Sequence, residues 1–129
     1  MSIAYWCILA AALLPYVWAF VAKRGPRYDN HDPRGWLAKR DDPRAHRANA
    51  AHLNAFEAFA PFAAAVLMAQ AAGVDPALVA TLSLIFVALR VLHGIFYVTD
   101  LHLMRSVTWM VGFACVLWMM VAAALQVGG

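Results

Sequence analysis

The sequence SIAYWCILAAALLPYVWAFVA, residues 2–22, contains no formally charged side chain, and Lys23 and Arg24 follow it directly. A helix of about 20 apolar residues is long enough to cross the hydrocarbon core of a bilayer. Three further stretches have a similar length and are also largely apolar; they are residues 43–72, 76–98 and 104–127. The sequence therefore predicts an all-α integral membrane protein that folds as a four-helix bundle, in a single domain over residues 1–129.

The composition of the whole chain is also that of a membrane protein. Of its 129 residues, 64% are hydrophobic and 13% are charged, and the mean hydropathy is +0.67. Soluble domains usually have about 45–50% apolar and about 25% charged residues. These values argue against a soluble enzyme, a disordered chain and a disulfide-rich scaffold.

The basic residues are concentrated in one segment, and their position predicts the orientation. Eight of the ten Lys and Arg residues fall between Lys23 and Arg47, which favours a membrane protein over a nucleic-acid binder despite the net charge of +3. The positive-inside rule places loop 23–42 in the cytoplasm and both termini outside. Because the charges follow residues 2–22, an uncleaved span is favoured over a cleaved signal peptide. The excess of alanine and arginine over serine and lysine indicates a GC-rich bacterial genome, in which case the membrane is the inner one.

Asp-Pro pairs and one glycine predict where helices begin and end. Asp42-Pro43 and Asp75-Pro76 each place a capping residue before a proline at the first helical position. Asp32-Pro33 repeats this pattern inside the polar loop, where it indicates a turn or cap. Gly73 suits the C-terminal end of the second span.

Neither the cysteines nor the polar loop predicts a disulfide or a metal site. Cys7 and Cys115 lie inside apolar stretches, where they are interpreted as small packing residues. Asp29, His31 and Asp32 are metal-ligating residue types, but a flexible polar loop is the favoured interpretation.

Two oppositely charged residues are expected at the same depth of the membrane. Ionisable groups cost about 2.5–3.5 kcal/mol each at the bilayer midplane, so they face the bundle interior and pair. Glu57 lies fifteen residues before Ala72 and Arg90 lies fourteen residues after Pro76. With a rise of about 1.5 Å per residue, both lie about 21–22 Å from the outer ends of their helices. This predicts a Glu57–Arg90 pair. The alternative interpretation is that such a pair only fixes the packing of the two helices and has no role in ligand binding.

Helical spacing gathers the other polar residues of the spans onto two faces. Steps of seven, three and four place on one side of the second span Arg47, Asn54, Glu57 and Pro61. Steps of three and four place on one side of the third span Arg90, His93 and Tyr97. Together they predict a cationic pocket in the cytoplasmic half of the bundle, suited to an anionic ligand such as a carboxylate. Snorkelling to the interface is the alternative for Arg47 and Arg105, and an aromatic belt is the alternative for Tyr97.

Two motifs carry these residues. The first lies in residues 41–62, DDPRAHRANAAHLNAFEAFAPF, and consists of Asp42-Pro43, Arg47, Asn54, Glu57 and Pro61. The second lies in residues 89–109, LRVLHGIFYVTDLHLMRSVTW, and consists of Arg90, His93, Tyr97, Arg105 and Ser106. The two motifs together resemble those of the membrane-associated proteins in eicosanoid and glutathione metabolism, the MAPEG family.

The resemblance implies a homotrimer of four-helix subunits, with glutathione as co-substrate bound between neighbouring subunits near the cytoplasmic side. It implies catalytic roles for Arg105, which would favour the glutathione thiolate, and for Ser106 beside it. The residues that it implies for glutathione binding are Arg47, Asn54, Glu57, Arg90, His93 and Tyr97. The thiolate would attack a lipophilic electrophile or peroxide that enters from the membrane lipid. The expected function is therefore that of a glutathione-dependent transferase or peroxidase.

Two departures from the family pattern keep a second interpretation open. Ala50 stands where eukaryotic members have an arginine, and Trp109 stands where they have an aromatic hydroxyl. The alternative is a non-enzymatic membrane module of the same fold that presents a lipid or a partner protein. The retained Arg105, Tyr97 and Glu57 favour the enzyme.

Overall fold

Five helices and their short connections make up the chain. The computed structural model describes residues 1–129. The helices in chain order are α1 (Ser2–Lys23), α2 (Pro33–Ala38), α3 (Pro43–Ala72), α4 (Pro76–Val98) and α5 (His102–Gly128). All except α2 are long and apolar enough to cross a membrane. The prediction of an all-α bundle with four membrane-spanning helices is therefore confirmed.

The ends of α3 and the start of α4 are set by short-range hydrogen bonds. The carboxylate of Asp42 accepts two backbone N–H bonds from the first turn of α3, at 3.1 and 3.3 Å. The carboxylate of Asp75 accepts one from the first turn of α4, at 3.1 Å. Gly73 ends α3 with φ at 75°, in the left-handed region that glycine adopts without strain. The helices thus begin and end where these residues predict.

The segment between α1 and α3 contains the short helix α2, where the sequence predicts a flexible polar loop. The carboxylate of Asp32 accepts the N–H of Gly35 at 3.1 Å, and Leu37 is buried against α1 and α3. The cap predicted at Asp32-Pro33 is therefore present, and together with this apolar contact it stabilises helical turns within the polar loop. In the turn before α2, the carboxylate of Asp29 accepts the backbone N–H of His31 at 2.9 Å.

Small residues allow the long helices to pack closely in the half of the bundle next to α2, which contains the end of α1 and the first half of α3. The buried residues of α3 in this half are the alanines Ala45, Ala48, Ala51 and Ala55. Lipid tails are as apolar as the side chains, so close backbone approach and van der Waals packing stabilise helix pairs in membranes. The other half has larger side chains at its centre, where Phe62 of α3 stacks on Phe86 of α4 with ring centroids 4.0 Å apart.

A contact between α1 and α4 holds the polar part of α4 in place. The indole of Trp18 lies against Gly94, and a Cβ atom at Gly94 would collide with the indole ring. Gly94 directly follows His93, which is itself 2% exposed. The missing side chain at Gly94 therefore sets the distance between α1 and the segment of α4 that carries the polar residues.

Candidate functional site

Two adjoining cavities lie between α3, α4 and α5. The smaller has a volume of about 120 Å³, and its polar lining consists of Asn54, Glu57 and Arg90. The larger has a volume of about 420 Å³, and its lining is Asn54, His93, Tyr97, Arg105, Ser106, Trp109 and Met110. Asn54 and Trp109 line both cavities. Together they form one continuous candidate site to which three helices contribute.

The spacing along each helix explains why these side chains meet. Asn54 and Glu57 are three residues apart on α3, and Arg90, His93 and Tyr97 follow one another at three and four residues on α4. Residues separated by three or four positions share one face of a helix. The link between α4 and α5 is only three residues long. It therefore brings the last turn of α4 and the first turn of α5 side by side.

Arg90 is bound to Asn54 and not to Glu57. Its Nη2 donates to Oδ1 of Asn54 at 2.7 Å, and only 4% of its surface is exposed. No carboxylate lies within 4.0 Å of it, since the one ion pair in the structure joins Arg40 to Asp42. The predicted Glu57–Arg90 pair is therefore wrong, although both residues line the smaller cavity. Glu57 is exposed on the outer surface of the bundle, whereas the guanidinium of Arg90 is buried.

Arg105 lies over an aromatic ring and has no anionic partner. Its Cζ atom is 4.5 Å from the ring centroid of Tyr97, a cation–π geometry. Tyr97 in turn makes an edge contact with His93, with ring centroids 5.6 Å apart. The guanidinium of Arg105 forms no ion pair, and Ser106 lies beside it on the wall of the larger cavity. Its N–H groups are therefore directed by stacking and remain free to bind an anion.

The imidazole of His93 also lacks a hydrogen-bond partner at one of its nitrogens. The ring is buried, and its Nδ1 atom has no hydrogen-bond partner in the protein. Buried polar atoms of folded proteins are nearly always hydrogen-bonded. His93 also lines the larger cavity, so an unsatisfied polar atom lies in the wall of the candidate site.

Arg47 is not brought to the site. Its Nε donates to the backbone carbonyl of Val98 at 3.2 Å, at the last residue of α4. The carbonyls at the end of a helix have no partner within the helix, and a basic side chain commonly binds them. Arg47 lines neither cavity. It connects α3 to the end of α4.

Two aromatic residues complete the site and were not among its predicted members. Trp109 and Phe113 line the smaller cavity, and their rings stack with centroids 5.3 Å apart. Both are exposed on the outer surface of the bundle. A sequence signal for them exists, because Arg105, Trp109 and Phe113 follow one another at steps of four and therefore share one face of α5.

A comparison with known families agrees with this arrangement. The model of the MAPEG family matches residues 3–125, nearly the whole chain. The chain belongs to the MAPEG family. No curated protein and no solved structure matches it. The resemblance carried by the two sequence motifs is confirmed, and the protein is an integral membrane protein.

MAPEG proteins include glutathione-dependent transferases and peroxidases, and the geometry of this member is suited to an anion that carries a nucleophile. Arg90 lines one of the two cavities and Arg105 lines the other, and Glu57 is the one carboxylate in either lining. The apolar part of the lining, Trp109 and Phe113, faces outward. The site can therefore meet a charged ligand and an apolar molecule at the same time.

Proposed function

We propose that this MAPEG protein is a membrane-bound glutathione-dependent transferase or peroxidase acting on lipophilic electrophiles. The observation that carries the proposal is the guanidinium of Arg105. It is stacked on Tyr97 in a cavity of about 420 Å³ and has no carboxylate partner. A volume of this size falls in the usual range for small-molecule sites, about 300–1,000 Å³.

The charges of the site complement those of glutathione. The tripeptide carries two carboxylates and one ammonium group at neutral pH, so it needs more cationic than anionic partners. Arg90 and Arg105 supply positive charge, and Glu57 supplies one carboxylate for the ammonium group. Asn54 and His93 add neutral hydrogen-bonding groups. These are five of the residues for which the motifs imply a role in binding or catalysis.

The proposed chemical step depends on the thiolate of glutathione. A positive group beside a thiol lowers the thiol pKa and raises the fraction of thiolate, and Arg105 is placed to have this effect. The sulfur then forms a bond to the electrophilic carbon, and the leaving group departs with the electron pair of the broken bond. With a lipid hydroperoxide, the sulfur attacks the terminal oxygen, the O–O bond breaks, and the alkoxide departs with the electron pair and is protonated to the alcohol. The sulfenic acid left on glutathione then reacts with the thiol of a second glutathione, which gives the disulfide and water. The hydroxyl of Ser106 donates a hydrogen bond to the sulfur in either reaction.

The outward faces of Trp109 and Phe113 explain how a lipophilic substrate reaches the sulfur. Both rings are exposed at a depth of the bundle that an apolar molecule enters from the bilayer. The substrate therefore does not have to cross the polar end of the bundle. A substrate with a low solubility in water is expected to react faster in vesicles than in a detergent that excludes lipid.

The exposed carboxylate of Glu57 supports a homotrimer with the sites at its subunit interfaces. Glu57 lies within α3, a spanning helix, on the outer surface of a single chain. A charged group facing lipid there costs a few kcal/mol, and a neighbouring subunit would cover it. Native mass spectrometry is expected to give three times the 14.1 kDa of one chain. A monomer that retains full activity would contradict this part of the proposal.

Calorimetry and a conjugation assay test the proposed function. Purified protein in lipid vesicles is titrated with glutathione and, as a control, with the analogue in which a methyl group replaces the thiol. Glutathione is expected to bind, and the ultraviolet absorbance of its thiolate is expected to rise on binding. Conjugation of a generic aromatic halide measures the reaction itself. No binding of glutathione at millimolar concentration would overturn the proposal.

One observation favours the alternative of a non-enzymatic module. Ala50 cannot donate a hydrogen bond from the position where the family resemblance implies an arginine. If the protein only presents a lipid or a partner protein, a strain with Arg105→Ala keeps a normal phenotype while a complete deletion does not. If the Arg105→Ala strain instead loses the glutathione reaction and shows the same phenotype as the complete deletion, the non-enzymatic module is excluded.

A further inference from the structure

A third cavity lies far from the candidate site, at the end of the bundle where α1, α2 and α3 meet. Its volume is about 780 Å³, and it shares no lining residue with the other two cavities. The end of α1, the exposed side of α2 and the first half of α3 form its walls. The proposed glutathione reaction uses none of these residues.

The polar lining of this cavity is entirely basic or neutral. Four of its residues can carry positive charge; they are Lys23, Arg34, His46 and His52. The amide of Asn49 adds a hydrogen-bonding group, and no Asp or Glu lines the cavity. Neither Lys23 nor Arg34 takes part in an ion pair, because the one ion pair of the structure is Arg40–Asp42. Two permanent positive charges therefore face the same space without a counter-charge from the protein.

The remaining lining is apolar and belongs to the spanning helices. Ala19 and Ala22 of α1 and Leu53 of α3 lie on the membrane side of the basic residues, and Leu37 closes the cavity from α2. Leu53 is 53% exposed, so this wall continues onto the outer surface of the bundle. Lys23 is the last residue of α1 and marks the polar end of that span. The cavity thus has a basic half at the membrane boundary and an apolar half that opens towards the acyl chains.

Hydrogen bonds hold the His46 ring and the start of α2 at the basic half of the cavity. The Nε2 atom of His46 lies 2.6 Å from the backbone carbonyl of Arg40, so this nitrogen carries the proton and donates it to the carbonyl. The cap of Asp32 on Gly35 holds the start of α2, which carries Arg34. Because the backbone that carries these groups is already ordered, only their side chains lose conformational freedom when a ligand binds.

We propose that this cavity binds the phosphodiester headgroup of an anionic phospholipid. The phosphate lies between Lys23 and Arg34, and the acyl chains follow Leu53 onto the outer surface of α3. Basic pockets between transmembrane helices on the cytoplasmic side are suited to such headgroups. A zwitterionic lipid carries its own positive charge, which the basic lining repels, so the cavity discriminates between the two lipid classes.

The first test uses the unmodified protein. It is placed in phosphatidylcholine vesicles with and without phosphatidylglycerol, and both retained lipid and the thermal unfolding midpoint are measured. Phosphatidylglycerol is expected to be retained about tenfold more strongly than phosphatidylcholine and to raise the midpoint. Equal retention of the two lipids would overturn the proposal. Inorganic phosphate and glycerophosphoglycerol are added in separate arms. Protection by either at the same concentration as the lipid would show that the cavity takes a soluble phosphate compound, and would overturn the assignment to a lipid.

The second test changes the charge of the cavity. Lys23→Gln with Arg34→Gln is expected to abolish the preference for phosphatidylglycerol. The matched control is Arg27→Gln with Lys39→Gln, which removes the same charge from a neighbouring surface outside this cavity. The control is expected to keep the preference. An equal loss in both double variants would attribute binding to the general surface charge and overturn the site.

A third variant guards against a simple loss of folding. Ala38 is exposed on the wall of the cavity, at the last residue of α2. Ala38→Glu places a carboxylate among the basic groups without removing a buried side chain, so the fold is expected to persist while the headgroup is repelled. Retention of phosphatidylglycerol by a folded Ala38→Glu protein would contradict the proposal. The glutathione reaction uses other residues, so its presence or absence in these variants is a separate result.

Discussion

Arg90 of α4 donates a hydrogen bond of 2.7 Å from its Nη2 to Oδ1 of Asn54 of α3. Arg90 is 4% exposed, so its charge is removed from water and depends on the neighbours that the protein supplies. Asn54 is the one side chain that accepts a hydrogen bond from it. The pair joins the two helices at the place where the two cavities of the candidate site meet.

Replacing Asn54 by alanine is therefore expected to destabilise the bundle. Asn54→Ala leaves the buried guanidinium of Arg90 without its acceptor, and an unsatisfied buried group costs about 1–3 kcal/mol. The unfolding free energy in mixed detergent micelles measures the effect. Asn49→Ala is the control, because Asn49 lies on the same helix, is also half-buried and makes no side-chain hydrogen bond. A similar loss of stability in both variants would show that the Arg90–Asn54 bond contributes nothing specific.

Removing the unpaired charge of Arg105 is expected to reduce the proposed reaction. Arg105→Ala should lower kcat/KM for conjugation about 10²–10³-fold, the usual effect of deleting one group that stabilises a developing or bound anion. The thiolate absorbance of bound glutathione should fall, and the rate should recover at higher pH, because the thiol then ionises without assistance. Arg105→Lys keeps the charge and should retain more activity. The control is Arg44→Ala, which changes an exposed arginine outside both cavities and should react at the normal rate. If Arg105→Ala reacts as fast as the parent protein, Arg105 has no part in the mechanism.

Adding one methyl group at Gly94 is expected to separate α1 from α4. A Cβ atom in Gly94→Ala would collide with the indole of Trp18, and overpacking of this kind typically costs about 1–3 kcal/mol. Gly112→Ala is the matched control, since the nearest atom to its Cβ is in Phe86 at 3.7 Å, an ordinary contact. The control should be neutral or slightly stabilising, because alanine is the better helix former. The effect is measured by thermal unfolding of both variants and of the double variant Gly94→Ala with Trp18→Ala, which removes the colliding ring. An unchanged unfolding midpoint in Gly94→Ala would show that the helices adjust freely.

The cap of α3 is expected to make stability depend on pH in the acid range. The backbone N–H of Ala45, with that of Arg44 and the guanidinium of Arg40, holds the pKa of Asp42 below its usual range, against a smaller effect of desolvation. Because the folded pKa lies below the unfolded value of about 3.9, the stabilisation is present at neutral pH and is lost as the pH falls through the folded pKa. Asp42→Asn should therefore be less stable than the parent at neutral pH and equal to it in strong acid. Asp41→Asn is the control, since the carboxylate of Asp41 accepts none of these hydrogen bonds. If the stability of Asp42→Asn depends on pH in the same way as that of the parent, this account is contradicted.

Much of the fold could be predicted from single residues and their spacing. Asp42-Pro43, Asp75-Pro76 and Gly73 act through hydrogen bonds and dihedral angles within a few residues, so they predict the ends of α3 and α4 from the sequence alone. The same local logic applies to α2, where Asp32-Pro33 predicts a turn or cap. The stabilising contribution that extends this turn into a helix comes from Leu37 packing on α1 and α3, which no local pattern reveals.

The candidate site shows where prediction from spacing stops. The spacing of Arg90, His93 and Tyr97 predicts one face of α4, and these residues do line adjoining cavities. It does not predict the partner of Arg90, because Asn54 and Glu57 lie one turn apart on the same face of α3. A difference of a few ångströms in how α3 and α4 pack decides between them. Arg47 also matched the spacing, yet its side chain binds the end of α4 at Val98 and does not reach the site.

The sequence by itself determined that this protein lies in a membrane, how many helices cross it and which family it belongs to, because apolar length, helix capping and motif spacing are local properties of the chain. The tertiary structure alone decided that Arg90 binds Asn54, that Arg105 stacks on Tyr97 without a counter-ion, and that Glu57 faces outward. These relationships join residues of different helices, or a residue to the outer surface of the bundle. They depend on the distance and rotation between helices, which are set by packing contacts such as that of Trp18 with Gly94.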